Sequence, residues 1–278
     1  MVRISAAVLV LFAAGCATAP NPWAAIHTPT AGEAESIGSY AKGCIRGAKS
    51  LHADGPGYQV MRPSRRRYYG HPDLVAFVEW LGRASLKAGT GSILVGDLGQ
   101  PRGGPTLSAH ASHQMGLDVD IWFWDAGRAL NLDERENLES PSMLTADFEA
   151  IDPHAWSARQ LKLLVLAAGR PEVERIFINP VIKRMLCAEQ AGKPWLQKLR
   201  PWWGHDDHFH VRLACPAGDA QCVAQEPVEG GDGCGDALEK EWFSPEAKAK
   251  AKQLREHPEP SKMPELPDAC AAVLSSPI

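Results

Sequence analysis

SAHASHQMGLDVDIWF, residues 108 to 123, crowds two histidines and two aspartates into a run that then turns apolar. Its second half alternates. Leu117, Val119 and Ile121 hold one parity, while Asp118, Asp120 and Trp122 hold the other. Side chains on a strand point alternately to its two faces, so Asp118 and Asp120 project the same way, away from the core. Gly116 permits a sharp turn just before, which lets His113 fold back toward Asp120. HFHVRL, 208 to 213, repeats the pattern, with Phe209, Val211 and Leu213 on one face and His208, His210 and Arg212 on the other. Two such strands laid antiparallel bring two imidazoles over a carboxylate and a third imidazole. That matches a catalytic zinc site, with three protein ligands and a fourth position for water. It differs from HExxH, whose histidines sit one helical turn apart.

A single histidine is more often a packed or surface residue than a ligand. Here five of the ten histidines fall in two short windows, 110 to 113 and 205 to 210, and each window runs into an alternating strand. Solvation accounts for either window separately but poorly for the pair, so a metal site is the better reading.

Around these strands the chain mixes helix and strand signals. Residues 20 to 60 are irregular and punctuated by proline and glycine, with one apolar-periodic piece near Ser36 to Ala48. Pro72 to Ala88 has helical spacing, with proline in the first turn. SILVGDL, 92 to 98, reads as a strand, and 125 to 155 as loop with short helical pieces. Ser157 caps a helix reaching about Gly169, ERIFIN is strand-like, and NPVIKRMLCAEQAG has the asparagine cap, proline and closing glycine of a helix. Without regular βαβ spacing, this predicts an α+β fold: a small antiparallel sheet carrying the site, flanked by helices. After Cys234 the tail alternates charge and proline with little to bury, and alone it would be disordered.

The 278 residues carry a net charge of −4, with 45% hydrophobic and 22% charged residues. That composition describes a globular protein without the basic surface that nucleic acid requires. The N-terminus MVRISAAVLVLFAAG has one early cation and a short uncharged run, the length of a signal-peptide core rather than a membrane span. Of seven cysteines, Cys16 closes this segment and six remain. An even set in an exported chain suits three disulfides, and no CxxC pair favours a cysteine zinc site. Cys215 and Cys222 close a short loop directly after HFHVRL and pair easily. AAGC, ending at Cys16, resembles a bacterial lipobox in which the cysteine is acylated, with Ala13 in place of the usual leucine. Cleavage after Ala17 to Ala19 is the alternative, with Pro20 awkwardly placed just beyond the cut.

HASHQMGLDVDI and GHDDHFHVRLACP together resemble the penicillin-insensitive murein endopeptidases, zinc peptidases of the wider group that includes lysostaphin-type enzymes and D-Ala-D-Ala carboxypeptidases. SIGSY…GCIRGA, YQVMR…RRYYGHPDLV, NPVIKRMLC and GDGCG extend the likeness over nearly the whole mature chain. The group's His-x6-Asp and His-x-His signature fits His113–Asp120 and His208–His210. The resemblance implies one catalytic Zn2+ held by His113, Asp120 and His210, with His208 as general base or transition-state stabiliser. It implies His110 and His205 near the metal, orienting ligands or touching substrate. It also implies the pairs Cys187–Cys234 and Cys44–Cys270 beside Cys215–Cys222. Ala111 stands where the wider group has serine, and Asp118 where it has alanine. The role of Asp118 stays open between support of the ligands, substrate contact and strand solvation. A second ion using Asp147, Asp152 or His154 lacks matching spacing on both sides and is not assigned.

The chain therefore divides into a signal peptide with lipobox (1–16), a tether (17–30), a zinc peptidase domain (31–235) and a charged Pro-rich tail tied back by a disulfide (236–278). The resemblance implies hydrolysis of D-alanyl–meso-diaminopimelyl cross-bridges of peptidoglycan, in the periplasm or on the outer membrane through lipidated Cys16. A zinc carboxypeptidase trimming terminal D-Ala and a non-catalytic peptidoglycan-binding protein are the rival readings. RRRYYGHP, 65 to 72, places arginines beside tyrosines, where guanidinium can grip substrate carboxylates. The alternative is a solvated loop with the tyrosines packed beneath it; Arg65 reads that way, and Arg66 to Tyr69 stay as candidate contacts. Trp202 and Trp203 read equally as walls of a peptide groove or as core.

Overall fold

The computed structural model describes residues 21–106, 111–228, 230–257 and 263–277. Cys16 and His110 lie outside the described residues. Strands β1 (Glu35–Ser39) and β2 (Lys42–Arg46) form an antiparallel hairpin where the sequence offered only an apolar-periodic piece. Gly38 makes it possible: at φ 81° a Cβ would meet the Lys42 carbonyl oxygen at 2.3 Å. Two further short strands, β3 (Lys49–Ser50) and β4 (Asp54–Gly55), lead to β5 (Tyr58–Val60) and β6 (Tyr69–Gly70). The remaining strands are β7 (Ile93–Val95), β8 (Asp118–Trp122), β9 (Val173–Ile178), β10 (Leu199–Pro201) and β11 (His208–Leu213).

Seven strands make one sheet in the order β10-β9-β11-β8-β7-β5-β4. Its centre is antiparallel, and the outer β5–β7 and β9–β10 pairs are parallel. Val119 opposes Val211 and Ile121 opposes Phe209, so the apolar parity of both central strands enters one core. Helices α1 (Pro72–Lys87), α3 (Ala158–Ala168) and α4 (Pro180–Glu189) supply much of its other side, and the short α2 (Leu132–Asn137) sits in the loop region. Each of the three longer helices starts on a capping side chain. The His71 Nδ1 accepts from Asp73, Ser157 and Gln160 form a reciprocal capping box, and Asn179 accepts from Val181. The mixture of helices and strands with three disulfides is an α+β fold.

One expectation needs correction. The polar face of β8 does not look out to solvent: Asp118 is 0% exposed and Asp120 5%. Alternation separates faces correctly but does not say what covers each one. Here Tyr40 of the hairpin and Leu98 of the turn after β7 reach residues on that face or beside it. The described parts of the tail, residues 236–257 and 263–277, include α5 (Asp236–Trp242), α6 (Pro245–Glu256) and α7 (Ala269–Ser275). Few apolar residues suffice, because Leu238, Ala251, Cys270 and Val273 are all buried and Ser244 caps α6. Cys44–Cys270 and Cys187–Cys234 fasten the tail to the body, and Cys215–Cys222 closes the loop after β11.

Arg102, 1% exposed, gathers the end of α7: its guanidinium donates to the carbonyls of Thr28, Val273, Leu274 and Ser276. A cation there satisfies the unpaired carbonyls of the last helical turn and meets the negative end of the helix dipole. Among the described residues no helix is long and apolar enough to cross a membrane.

Candidate metal centre

The β8–β11 register sets the site. His210 opposes Asp120, Arg212 opposes Asp118, and His208 opposes Trp122. His113 enters from the preceding loop in the left-handed backbone region, φ 65°, with its N–H donating to Asp118 Oδ2 at 3.1 Å. Gly116, also at positive φ, lets that loop pass close to Ile45, where a Cβ would meet a side-chain carbon at 2.5 Å. A left-handed histidine costs on the order of 1–2 kcal/mol, and such strain persists where the surroundings hold it.

His113, Asp120 and His210 each offer a ligand atom, and these atoms lie within 4.8 Å of one another. His113 Nε2 is 3.4 Å and His210 Nδ1 3.1 Å from Asp120 Oδ1. The outward nitrogens are already committed. His113 Nδ1 donates to the Leu98 carbonyl at 2.7 Å, and His210 Nε2 donates to Asp118 Oδ1 at 2.8 Å. A carbonyl only accepts, and Asp118 is an ionised acceptor beside Arg212 at 2.7 Å, so each imidazole keeps a lone pair aimed inward. Two neutral imidazoles and one carboxylate form a donor set that a divalent transition metal takes. The residues present fit such an ion.

Asp118 thus holds both histidines, one by its backbone and one by its ring. At 0% exposure it does not solvate the strand. Burial opposes its ionisation, but Arg212 and then His210 overcome that and hold the carboxyl well below the usual range. Arg212 is itself wedged between the Tyr40 and Phe177 rings, 4.1 and 4.9 Å from their centroids.

His208 approaches from the same strand face. Its Nε2 lies 3.6 Å from Asp120 Oδ1, and its Nδ1 donates to Asp207 Oδ1 at 2.5 Å. Burial disfavours the His208 imidazolium, yet Asp120 and Asp207 outweigh it and raise the group to about 9. The same balance of burial against Asp120 raises His113 to about 9. Burial likewise opposes ionisation of Asp120, whose carboxyl His113 and His208 hold well below the usual range. Protons and a metal therefore compete for one set of nitrogens.

Asp207 is the residue that strand alternation passes over. Its parity assigns it to the apolar face, but β11 begins only at His208, so Asp207 is loop and turns toward the imidazole. Its carbonyl is pinned by Phe123 N–H and the Ser140 hydroxyl. His205 also has a left-handed backbone, φ 52°, and its ring lies 4.9 Å from that of His208 and 5.8 Å from that of His210. Burial, then the neighbouring His208 and His210, push its pKa well below the ordinary histidine value, which keeps it neutral.

Trp202 is exposed and Trp203 packs against Trp242, and both line a groove of about 700 Å3 beside α6. Asp147 and Asp152 accept hydrogen bonds from their own loops, and among the described residues no second metal-like cluster is present.

Comparison with known proteins decides the family. The family model described as penicillin-insensitive murein endopeptidase matches residues 36–275. The chain belongs to the penicillin-insensitive murein endopeptidase family. Proteins of that name from Klebsiella pneumoniae subsp. pneumoniae and Haemophilus influenzae are 42% and 43% identical to it, each over 96% of this chain and over 96% and 93% of their own lengths. A third, from Yersinia enterocolitica, is 41% identical over 98% of this chain and 96% of its own. The murein endopeptidase family is one of metallopeptidases, which agrees with the His/Asp/His cluster.

In this murein endopeptidase fold, Asp118→Asn is expected to weaken metal binding by roughly 10- to 100-fold, the usual cost of losing an outer partner of a ligating histidine. Competition with a chromophoric chelator measures it. Unchanged affinity would show that Asp118 serves packing alone.

Proposed function

We propose that the protein is a zinc-dependent DD-endopeptidase hydrolysing D-alanyl–meso-diaminopimelyl cross-bridges of peptidoglycan. The observation that carries this reading is the convergence of His113, Asp120 and His210 with the His208–Asp207 pair at their side. Zinc held by those three residues would lower the pKa of its water toward neutrality and polarise the scissile carbonyl.

The chain's own residues do the rest. His208 Nε2 faces the site; with a cation offsetting the Asp120 charge that favours its imidazolium, it would accept the proton of the attacking water and return it to the leaving amine. Asp207 keeps the proton on Nδ1 and stabilises the imidazolium between the two transfers. Asp118 and the Leu98 carbonyl hold the ligand rings in the tautomers the ion needs. No serine or cysteine nucleophile takes part, which is consistent with indifference to serine-acylating β-lactams.

Product analysis on purified cross-linked muropeptides tests the assignment. The expected result is conversion of dimers to two monomers. Release of free D-alanine alone would make the protein a carboxypeptidase, and binding without turnover would make it a scaffold.

The substrate chemistry and three disulfides support work outside the cytoplasm, and in this reading the protein is periplasmic. Acylation at Cys16 would hold the enzyme near an insoluble substrate and raise its local concentration. Within the expected tether, however, residues 21–30 pack on the body, with Trp23 only 3% exposed and the Thr28 carbonyl bound by Arg102. Membrane fractionation of wild type against Cys16→Ser checks this. Wild type is expected with the outer membrane and the variant in the soluble fraction. Recovery of both as soluble protein would refute the anchor.

A further inference from the structure

The cleft containing Asp120 and His208 has a second wall that the mechanism leaves unused. Arg62, Arg65 and Asp97 line it, with Trp122 between them and the catalytic side. Trp122 opposes His208 across the β8–β11 pair, and the Arg62 guanidinium lies 5.5 Å from its ring centroid.

The acidic groups in this cleft are already engaged. Asp207 accepts from His208, Asp120 faces the imidazoles, and Asp97 accepts from Arg67 at 2.7 Å. Arg65 stands 3.8 Å from Asp97, beyond hydrogen-bond reach, and among the described residues no carboxylate is ion-paired with Arg62. Two cations therefore face the cleft with donors to spare.

The backbone makes this arrangement at a cost. Arg62 and Arg66 flank the 3-10 turn Pro63–Arg65 and both occupy the left-handed region, φ 51° and 52°. Glu136 braces the turn, its carboxylate accepting from the Ser64 N–H and hydroxyl, and the Arg135 carbonyl accepts from Arg62 N–H. Strained positions held this firmly concentrate at functional sites. Arg65, solvent-exposed as the sequence suggests, also borders this cleft, and together with Arg66 it lines a second hollow beside Gln100.

We propose that Arg62 and Arg65 form a carboxylate subsite for the leaving-group side of the substrate. The inference rests on the endopeptidase reading above and adds what that reading does not assign. The amine released from the cross-bridge belongs to an amino-acid end of diaminopimelate, so the carbon bearing the scissile nitrogen also bears a free carboxylate. That anion lies two bonds from the reacting nitrogen, and its partner must therefore be in the same cleft as His208. Guanidinium groups suit it through paired, charge-assisted hydrogen bonds.

Two cross-linked dimers test the subsite, one with this carboxylate free and one with it amidated. Wild type is expected to prefer the free acid by about 10- to 100-fold in kcat/KM, the scale of charge-assisted hydrogen bonds, expressed mainly in KM. Arg65→Gln and Arg62→Asn are expected to erase that preference. Asparagine is chosen at 62 because it tolerates a left-handed backbone. Calorimetric binding of the free-acid dimer to chelator-treated protein, which does not turn over, is expected to weaken in both variants. Retained preference in the variants, or equal cleavage of both dimers by wild type, would overturn the subsite alone. Cleavage of neither dimer by wild type would overturn the endopeptidase reading and the subsite with it.

Discussion

His210→Ala is expected to lose bound metal and hydrolysis together. Three protein ligands are the minimum of a catalytic zinc site, and removal of one leaves His113 and Asp120 to hold the ion alone. The second consequence is electrostatic. His210 Nε2 is one of the donors that neutralise Asp118, a fully buried carboxylate, and its loss leaves Arg212 and the His113 N–H to do so. Without the ion the attacking water would lose the lowered pKa that a bound metal supplies, so the rate is expected to fall by at least about four orders of magnitude. Metal content by mass spectrometry and turnover of the muropeptide dimer are measured on one preparation. Circular dichroism serves as the control for folding. Full activity in a metal-free His210→Ala preparation would overturn the ligand set.

His208→Ala separates proton transfer from metal binding. Its Nε2 stands 3.6 Å from Asp120 Oδ1, and it is not one of the three residues whose ligand atoms cluster within 4.8 Å. The variant is expected to retain its metal and lose roughly two to four orders of magnitude in kcat, the contribution of a positioned acid–base. Asp207→Asn is the companion measurement. It keeps the imidazole but removes the charge at Nδ1, and a smaller loss with a displaced pH profile is expected. Loss of metal from His208→Ala would make His208 a fourth ligand and require another base.

Much of the fold was legible because local chemistry and tertiary context agree. Pro72, Ser157 and Asn179–Pro180 mark helix starts by capping, and each capping bond forms within the segment that predicts it. The alternation in GLDVDIWF and HFHVRL sorts site residues from core residues because one strand residue carries one face. What was not legible depends on partners distant in sequence. Burial of the Asp118 face needs the hairpin and the turn after β7. Order in the tail needs Arg102 and Cys44, more than 130 residues upstream. Asp207 escaped because a strand's first residue cannot be located by parity.

The fastening of α7 also sets an order of events during biosynthesis. Cys215 and Cys222 are 7 residues apart and can meet as soon as both are made, whereas Cys44 waits for Cys270, 226 residues later. In the chain-entropy view, closing so long a loop removes about 5 kcal/mol of freedom from the unfolded chain, near the upper end for a disulfide. The bond anchors β2, whose Gly43 N–H donates to Gln114 Oε1, next to His113. Arg102, whose carbonyl accepts from Ile45 N–H, receives its carbonyl partners only when residues 273 to 276 arrive. A partly synthesised chain therefore lacks the brace behind His113. The hydrolase matures as its last helix docks, when nearly the whole polypeptide is available to fold.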